Sequence, residues 1–281
     1  MTHKRYPRQE KGKLWTLLIA GLMVAVLTVI SLVIGDYAGR RWDGKTRYTV
    51  INLEDGSVIE SVDIMRDVGV RLRLPGDTEI ETVGGRGKWR LQVMPKLAEK
   101  FGVKWAADSI SDFTGVAYTG EKSQLGWWDR FSWWKVSRKV RWEEIDAQKS
   151  GWLKEVKSQD GLIVWEPAPG WNQKMADLFT DAQLIRDGLA VKVINAVSLP
   201  GMGSHAARWI ESSGVKVNMI ESATENIVRC AVMVSDRDMG KSITRWLEKT
   251  YDCEVVADES SGGEIILKLG RDYQGWWKGS L

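Results

Sequence analysis

From Leu14 to Ile34 the chain reads LWTLLIAGLMVAVLTVISLVI, 21 residues without a charge. As a helix this run spans about 31 Å, matching a bilayer hydrocarbon core of roughly 30 Å, and it predicts a transmembrane helix. The apolar core of a cleaved signal peptide runs only about 7–15 residues and leads to a small-x-small site. Here the longer run leads into GDYAGRRW, so it reads as an uncleaved, single-pass signal anchor.

Beyond the anchor the apolar period changes to two. Val68, Val70, Leu72 and Leu74 alternate with Arg71 and Arg73, and Trp89, Leu91 and Val93 alternate with Lys88, Arg90 and Gln92, so residues 48–93 predict strands. LEDGSV, residues 53–58, predicts a hairpin turn centred on Asp55-Gly56. KLAEKFG after Pro95 predicts a helix, and SDFTGV at 111–116 ends another. Residues 125–142, LGWWDRFSWWKVSRKVRW, place Trp127, Phe131, Trp134 and Arg138 at helical spacing, with Trp128 and Trp133 widening the aromatic surface. WEPAPGW at 165–171 is a Pro-rich link, followed by a short amphipathic segment, NQKMADLFTDAQLIRDG.

The last third repeats itself. MGSHAARWIE at 202–211 and MGKSITRWLE at 239–248 share a Met-Gly start and an Arg-Trp-aliphatic-Glu end, 37 residues apart. Strand-like runs flank each helix: 190–196 and 215–222 for the first, 229–236 and 253–259 for the second, with EIILKLG at 264–270 as a closing strand. This pattern predicts a duplicated βαβ unit whose helices face the sheet through Ala206, Trp209 and Ile210, and through Ile243, Trp246 and Leu247. The turn SLPGMGSH has neither the Gly-Lys-Ser/Thr of a P-loop nor Gly-x-Gly-x-x-Gly, and reads as structural. Asn195 reads as a turn former, and His205 as a surface residue without an identifiable partner.

Charge narrows the partners. Residues 1–35 carry five Lys/Arg against Glu10, residues 36–188 carry 24 against 24, and residues 189–281 carry 11 against 12. The net charge of +3 therefore belongs to the N-terminus, and neither later part has the basic surplus of a nucleic-acid binder. Lys4, Arg5, Arg8, Lys11 and Lys13 precede the span, while Arg40, Arg41, Lys45 and Arg47 follow it, which favours a cytoplasmic N-terminus by a narrow margin. With only His3 and His205, histidine-based catalysis and multi-histidine metal sites are nearly closed off. Cys230 and Cys253 are too few for a disulfide scaffold, and the sequence leaves open whether they pair. Of 16 tryptophans, eight fall between Trp127 and Trp171. Around the first of these, Arg130, Lys135, Arg138, Lys139 and Arg141 stand against Asp129 alone. That mixture suits a helix lying in a membrane interface, with Trp127, Trp128, Phe131, Trp133, Trp134 and Arg138 as its contacts; a packing helix over a sheet suits it equally.

VKVINAVSLPGMGSHAARWIESSGVKVNMIES resembles the start of the LytR C-terminal domain, in its strand ending Asn-Ala, its turn with Gly201 and Gly203, its helix closing at Gly214 and its second strand; EIILKLGRDY is similar to that family's final strand. SVDIMRDVGVRLRLPGDTEIETVGGRGKWRL resembles the LytR-CpsA-Psr family, whose strand runs into a Leu/Ile-Pro-Arg-Asp-Thr motif. Leu74, Pro75, Asp77 and Thr78 match, and Gly76 stands in place of the arginine. Arg47 lacks the aspartate two positions on that the family carries earlier in the chain, and the second half of the domain is missing. The resemblance implies transfer of anionic polymers from a polyprenyl pyrophosphate carrier to peptidoglycan, with arginines on the pyrophosphate and carboxylates on magnesium. Loss of the guanidinium removes a bidentate, permanently charged donor from such a site.

The resulting expectation is an α/β protein: a cytoplasmic basic tail at 1–13, a transmembrane helix at 14–34, a reduced, strand-rich LytR-CpsA-Psr-like domain at 45–120, a Trp-rich helix and linker at 121–187, and a LytR C-terminal-like domain at 188–273. The implied role is a non-catalytic accessory or binding factor in peptidoglycan or wall-polymer assembly, with the body extracytoplasmic. An active phosphotransferase using magnesium and a scaffold for other envelope proteins are the alternatives. No catalytic residue, metal site or cofactor is assigned. Asp77, Arg86, Lys88 and Arg90 are candidates for binding a lipid-linked phosphate or glycan, Lys88 and Arg90 sharing one strand face. The competing account is a solvated strand beside a bend made by Gly84, Gly85 and Gly87, with Asp77 closing its own turn.

Overall fold

The computed structural model describes residues 10–54, 57–158, 160–197, 199–223, 225, 227–259 and 263–276. The Asp55-Gly56 turn centre and the basic residues Lys4, Arg5 and Arg8 lie outside the described residues. Helix α1 (Glu10–Ala38) is apolar over Trp15–Ala38, with a mean hydropathy of 2.9, and none of that window is buried against the body. It is long and apolar enough to cross a membrane.

The first sheet has the order β6-β1-β2-β3-β7. Strands β1 (Tyr48–Asn52), β2 (Val58–Asp63) and β3 (Val68–Arg73) form an antiparallel meander. Short β6 (Gly120–Glu121) and β7 (Arg141–Asp146) add parallel edges. Every residue of β1 and β2 is buried because both faces are covered. On one face Ile51, Ile59 and Leu72 pack against α2 (Met94–Phe101), α3 (Val103–Thr114) and α5 (Trp171–Phe179). On the other, Tyr48, Val50 and Val62 pack with Trp42, Leu125 and Trp133, the last from α4 (Trp127–Ser137).

Residues 125–142 do not form one helix as expected. Helix α4 stops at Ser137, and the chain turns into β7, which pairs Trp142 opposite Gly69. A Cβ on Gly69 would come within 2.8 Å of the Trp142 ring, so the bare backbone there is what admits the indole. Residues 121–187, expected as helix and linker, therefore complete the first sheet. They also supply the hairpin of β8 (Leu153–Lys157) and β9 (Ile163–Pro167), where part of the expected Pro-rich link lies, and α5 and α6 (Ala182–Asp187). The segment 72–91 carries its own two-stranded ribbon, β4 (Glu79–Glu81) with β5 (Lys88–Arg90).

The second sheet has the order β11-β10-β14-β12-β13. β10 (Val191–Asn195) runs through α7 (Met202–Ser212) to parallel β11 (Val217–Ser222), and β12 (Ala231–Val234) runs through α8 (Ser242–Tyr251) to parallel β13 (Glu254–Ala257). β14 (Ile265–Leu269) lies between the two units, parallel to β10 and antiparallel to β12. It is the centre of the sheet rather than a closing edge. Alternate residues of β10, β12 and β14 are buried against Ala206, Trp209 and Ile210 of α7 and Ile243 and Leu247 of α8, while Trp246 is half-buried. Asn195 shapes the following turn, donating to the Leu199 carbonyl at 2.7 Å and accepting from Val197 N–H. Cys230 and Cys253 are joined in a disulfide.

The two sheets meet through buried polar bonds. Asp112, in the last turn of α3, accepts from His205 Nε2 and from Arg208 Nη2 of α7, the latter at 2.8 Å. His205 is thus buried and partnered, not the surface residue its sequence context suggested; its second ring nitrogen lies 3.1 Å from the Tyr273 hydroxyl. Asp181 accepts from the N–H groups of Arg47, Gln183 and Leu184, so it caps α6 while holding the start of β1.

Removing one partner from a buried ion pair strands the others, so Asp112→Ala is expected to cost about 3–5 kcal/mol in urea unfolding of the detergent-solubilised protein. Burial pushes the Asp181 carboxyl up to about 6, against the opposing pull of its backbone donors. That value lies above the roughly 3.9 of an unfolded aspartate, so the folded state holds the proton more tightly. The resulting stabilisation is complete below about pH 4 and is lost as pH rises through 6. Relative to Asp181→Asn, the wild type is expected to lose about 2–3 kcal/mol between pH 4 and pH 7 in the same assay.

Candidate functional site

Helix α4 joins the apolar helix α1 to the body. Its first turn is capped from α1: Asp36 Oδ2 accepts the Trp128 N–H at 3.0 Å, placing a carboxylate at the positive end of the helix. The Trp128 indole donates to the Val33 carbonyl at 3.2 Å and meets the Tyr37 ring edge-on at 5.6 Å. Asp129, one residue on, turns inward and accepts from Arg41 N–H at 3.0 Å and Trp42 N–H at 3.4 Å. Its carbonyl takes the Tyr48 hydroxyl at 2.8 Å. Burial and then the Asp129 charge push the Tyr48 phenol far above its ordinary range, so that hydroxyl serves as a fixed donor. The exit of α1 is thereby bolted to β1 through α4.

The expected aromatic set splits in two. Trp127, Phe131 and Trp134 form an outward stripe, with successive rings stacked at 5.9 Å and Arg138 over Trp134 at 5.0 Å. Trp127 is 60% exposed and Trp134 53%, large values for tryptophan on a folded surface. Trp128 is half-buried against α1. Trp133 is a correction: it is buried against Tyr48 and Trp142, because it projects from the opposite side of α4 into the sheet. Of the two readings the sequence left open, Trp133 takes the packing role.

The loop at 72–91 is organised mainly by its own contacts. Pro75 and Thr78 close a turn, and Asp77 accepts from the Gln92 amide at 3.0 Å. A Cβ on Gly76 would lie 3.1 Å from Gln92 Cβ, so a longer side chain there would press on the residue that holds Asp77. Gly84, Gly85 and Gly87 all have positive φ, and the bend between β4 and β5 depends on that freedom. The basic residues are not gathered together. Arg86 lies over the Phe101 ring at 4.4 Å, Arg90 pairs with Asp160 at 2.9 Å, and Lys88 is exposed on the ribbon. Among the described residues no three His, Cys, Asp or Glu side chains gather to hold a metal. With Asp77 engaged by Gln92, the donor set here does not fit the magnesium that the family resemblance implies.

Sequence reasoning missed two groups. One is the buried Asp112–His205–Tyr273 line, in which burial and then Asp112 push the Tyr273 phenol well above its ordinary range. No sequence signal pointed to it, since Asp112 and His205 stand 93 residues apart. The other is the set of Arg41, Lys104 and Tyr118, which faces a cavity beside the exit of α1. Arg41 was visible only as one of the charges flanking the span.

No family model and no curated protein matches the chain. Solved structures similar to it include a LytR-CPS2A-psr family protein, YwtF (TagT), with bound octaprenyl pyrophosphate lipid, at 12% identity over 83% of this chain and 88% of that one, with a TM-score of 0.23. TagT bound to LIIa-WTA matches at 11% identity over 83% and 89%, TM-score 0.24. A transcriptional regulator from Enterococcus faecalis matches at 9% identity over 68% and 78%, TM-score 0.21. Likeness at these TM-scores carries no conclusion about fold or function.

The split of the aromatic set is testable by thermal unfolding in detergent. Trp133→Ala is expected to cost about 3–5 kcal/mol through the cavity it leaves. Trp127→Ala and Trp134→Ala are each expected to cost about 1 kcal/mol or less.

Proposed function

We propose that this chain is a membrane-anchored, extracytoplasmic binding or accessory factor in cell-envelope assembly, working on peptidoglycan or a lipid-linked wall polymer without catalysing transfer. In this reading the second sheet is a duplicated βαβ module of LytR C-terminal type, and the first is a reduced LytR-CpsA-Psr-like layer. The observation that carries the reading is the clamp between α1 and α4: Asp36, Val33 and Tyr37 at the exit of the apolar helix hold Trp128. A helix fixed there starts at the edge of the hydrocarbon, where Trp127, Phe131 and Trp134 meet the acyl boundary and Arg138 meets headgroups. The disulfide supports an extracytoplasmic body, since such bonds persist in oxidising compartments. The non-catalytic part rests on Gly76, which supplies no guanidinium, and on Arg86 and Arg90, whose charged heads are directed to Phe101 and Asp160. Lys88, with Asp77 at the neighbouring turn, remains as the polar contact for a lipid-linked phosphate or glycan.

In intact cells Cys230 and Cys253 are expected to resist maleimide until a reductant is added, and a C-terminal reporter active only outside the cytoplasm is expected to be active. Reactive thiols with a silent reporter would place the body in the cytosol and overturn the reading. The purified full-length protein, given a polyprenyl-pyrophosphate-linked glycan, peptidoglycan and magnesium, is expected to transfer nothing. Turnover abolished by Asp77→Ala would establish the phosphotransferase alternative instead.

A further inference from the structure

We infer that the cavity between α8 and the segment entering β1 binds one inorganic phosphate ion, held by Arg41, Arg245 and Lys249 and donating its own proton to Asp43. Packing of the two sheets builds this site, independently of the envelope role proposed above. The cavity measures about 40 Å³, and no residue of α1 lines it. That is room for about three waters or one tetrahedral oxyanion, and too little for a lipid headgroup with its glycerol. Four cations and one carboxylate line it: Arg41, Arg47, Arg245, Lys249 and Asp43. Arg47 is engaged by the Ser61 hydroxyl, the Thr180 carbonyl and Asp63. Among the described residues Arg41 and Arg245 have no side-chain hydrogen bond or ion pair, and Lys249 has only its exposed chain neighbour Glu248, at 3.4 Å.

Arg245 and Lys249 stand one turn apart on α8, where like charges repel and weaken the helix, and Arg41 lines the same cavity from the other sheet. The carboxylates nearby answer other donors or stand apart. Asp108 is bonded to Lys104 and Tyr118, and Asp272, in the adjoining cavity of about 280 Å³, accepts from Cys230 N–H. Asp252 lines that adjoining cavity too and makes no ion pair with any of the three cations. Three cations therefore meet one carboxylate here, and the charge selects an anion. Asp43 then decides which anion. Its Oδ1 accepts from Lys45 N–H and Thr46 N–H, each at 2.9 Å, and from the Thr46 hydroxyl at 2.8 Å, whereas Oδ2 is buried and accepts no hydrogen bond. A buried carboxylate oxygen without a donor is costly. Sulfate and phosphodiesters bring only acceptors. Inorganic phosphate keeps at least one proton at neutral pH, so a single ion offers oxygens to the cations and an O–H to Asp43.

The test is isothermal titration of the full-length protein in non-ionic detergent at pH 7, with sodium phosphate or sodium sulfate at matched ionic strength. The wild type is expected to bind one phosphate per chain and to bind sulfate about tenfold or more weakly, the scale of an unmatched buried acceptor. Arg245→Gln/Lys249→Gln is expected to weaken phosphate by about tenfold or more, while Lys216→Gln, outside the cavity, leaves it unchanged. Asp43→Asn keeps the oxygen that closes the loop and puts an amide donor where the bare oxygen was, so phosphate and sulfate are expected to bind alike. Thermal unfolding supplies a second reading. Arg245 and Lys249 are exposed, so without phosphate the double variant is expected to match or exceed the wild-type Tm, and phosphate is expected to raise the Tm of the wild type alone. If Asp43→Asn does not fold, the double variant and the sulfate comparison decide. Failure of the wild type to bind phosphate, equal binding of sulfate by the wild type, or undiminished binding in the double variant would overturn the assignment. So would a lower Tm of the double variant without phosphate, which would mean that protein groups hold those two cations.

Discussion

Asp112 has no exposed side-chain surface, yet it carries a carboxylate that both His205 and Arg208 of the neighbouring layer contact. Burying such a charge is costly unless donors replace the lost water, and here the donors come from α7 of the second sheet. The two sheets therefore satisfy one another. Around this point Ser212 donates to the Gly115 carbonyl, Asp181 N–H bonds the Ser213 carbonyl at 3.0 Å, and Ala117 packs on the second core. A hydrophobic contact alone would allow the layers to slide, whereas directional bonds to a buried carboxylate define one arrangement. The placement of Lys249 and Tyr273 opposite Arg41 and Lys104 follows from that arrangement.

A second constraint works at the exit of α1. Asp36, Asp129 and Glu121 are acidic residues near the exit of α1, and each accepts backbone N–H groups that would otherwise lack a partner: Trp128, Arg41 with Trp42, and Ser123 with Gln124. The same bonds fix the exit of α1 against β1 and α4. The anchor and the body thus behave as one unit at this point, unlike a tethered domain on a free linker. In the proposed reading, in which the aromatic stripe meets the membrane, that rigidity sets the stripe's depth by where α1 leaves the bilayer.

Much of the architecture was legible from residue patterns. An uncharged run of 21 residues marks a long apolar helix, observed as α1, and the period-two alternation around Val70 and Leu72 marks β3 because side chains alternate across a strand. The repeated spacing placed helices at 202–211 and 239–248; the first is observed at 202–212, while the second starts three residues later than expected, at Ser242. The hidden parts depended on partners distant in sequence. Trp142 sits in β7 because Gly69, 73 residues earlier, leaves room for its ring, and α4 ends before it for that reason. The candidate anion strip looked continuous in one dimension, but Asp160 and Phe101 come from elsewhere to engage Arg90 and Arg86.

The sequence by itself determined the long apolar N-terminal helix, the mixed α/β class and the residue types available for chemistry, because hydropathy and period act over a few neighbouring residues. Tertiary structure decided which aromatics face outward, that Cys230 meets Cys253, that His205 is buried against Asp112, and that Arg41 and Lys104 share a cavity with α1. Those outcomes depend on distances between segments that chain order does not encode: Asp112 and His205 are 93 positions apart yet share a hydrogen bond, because each answers the desolvation of the other.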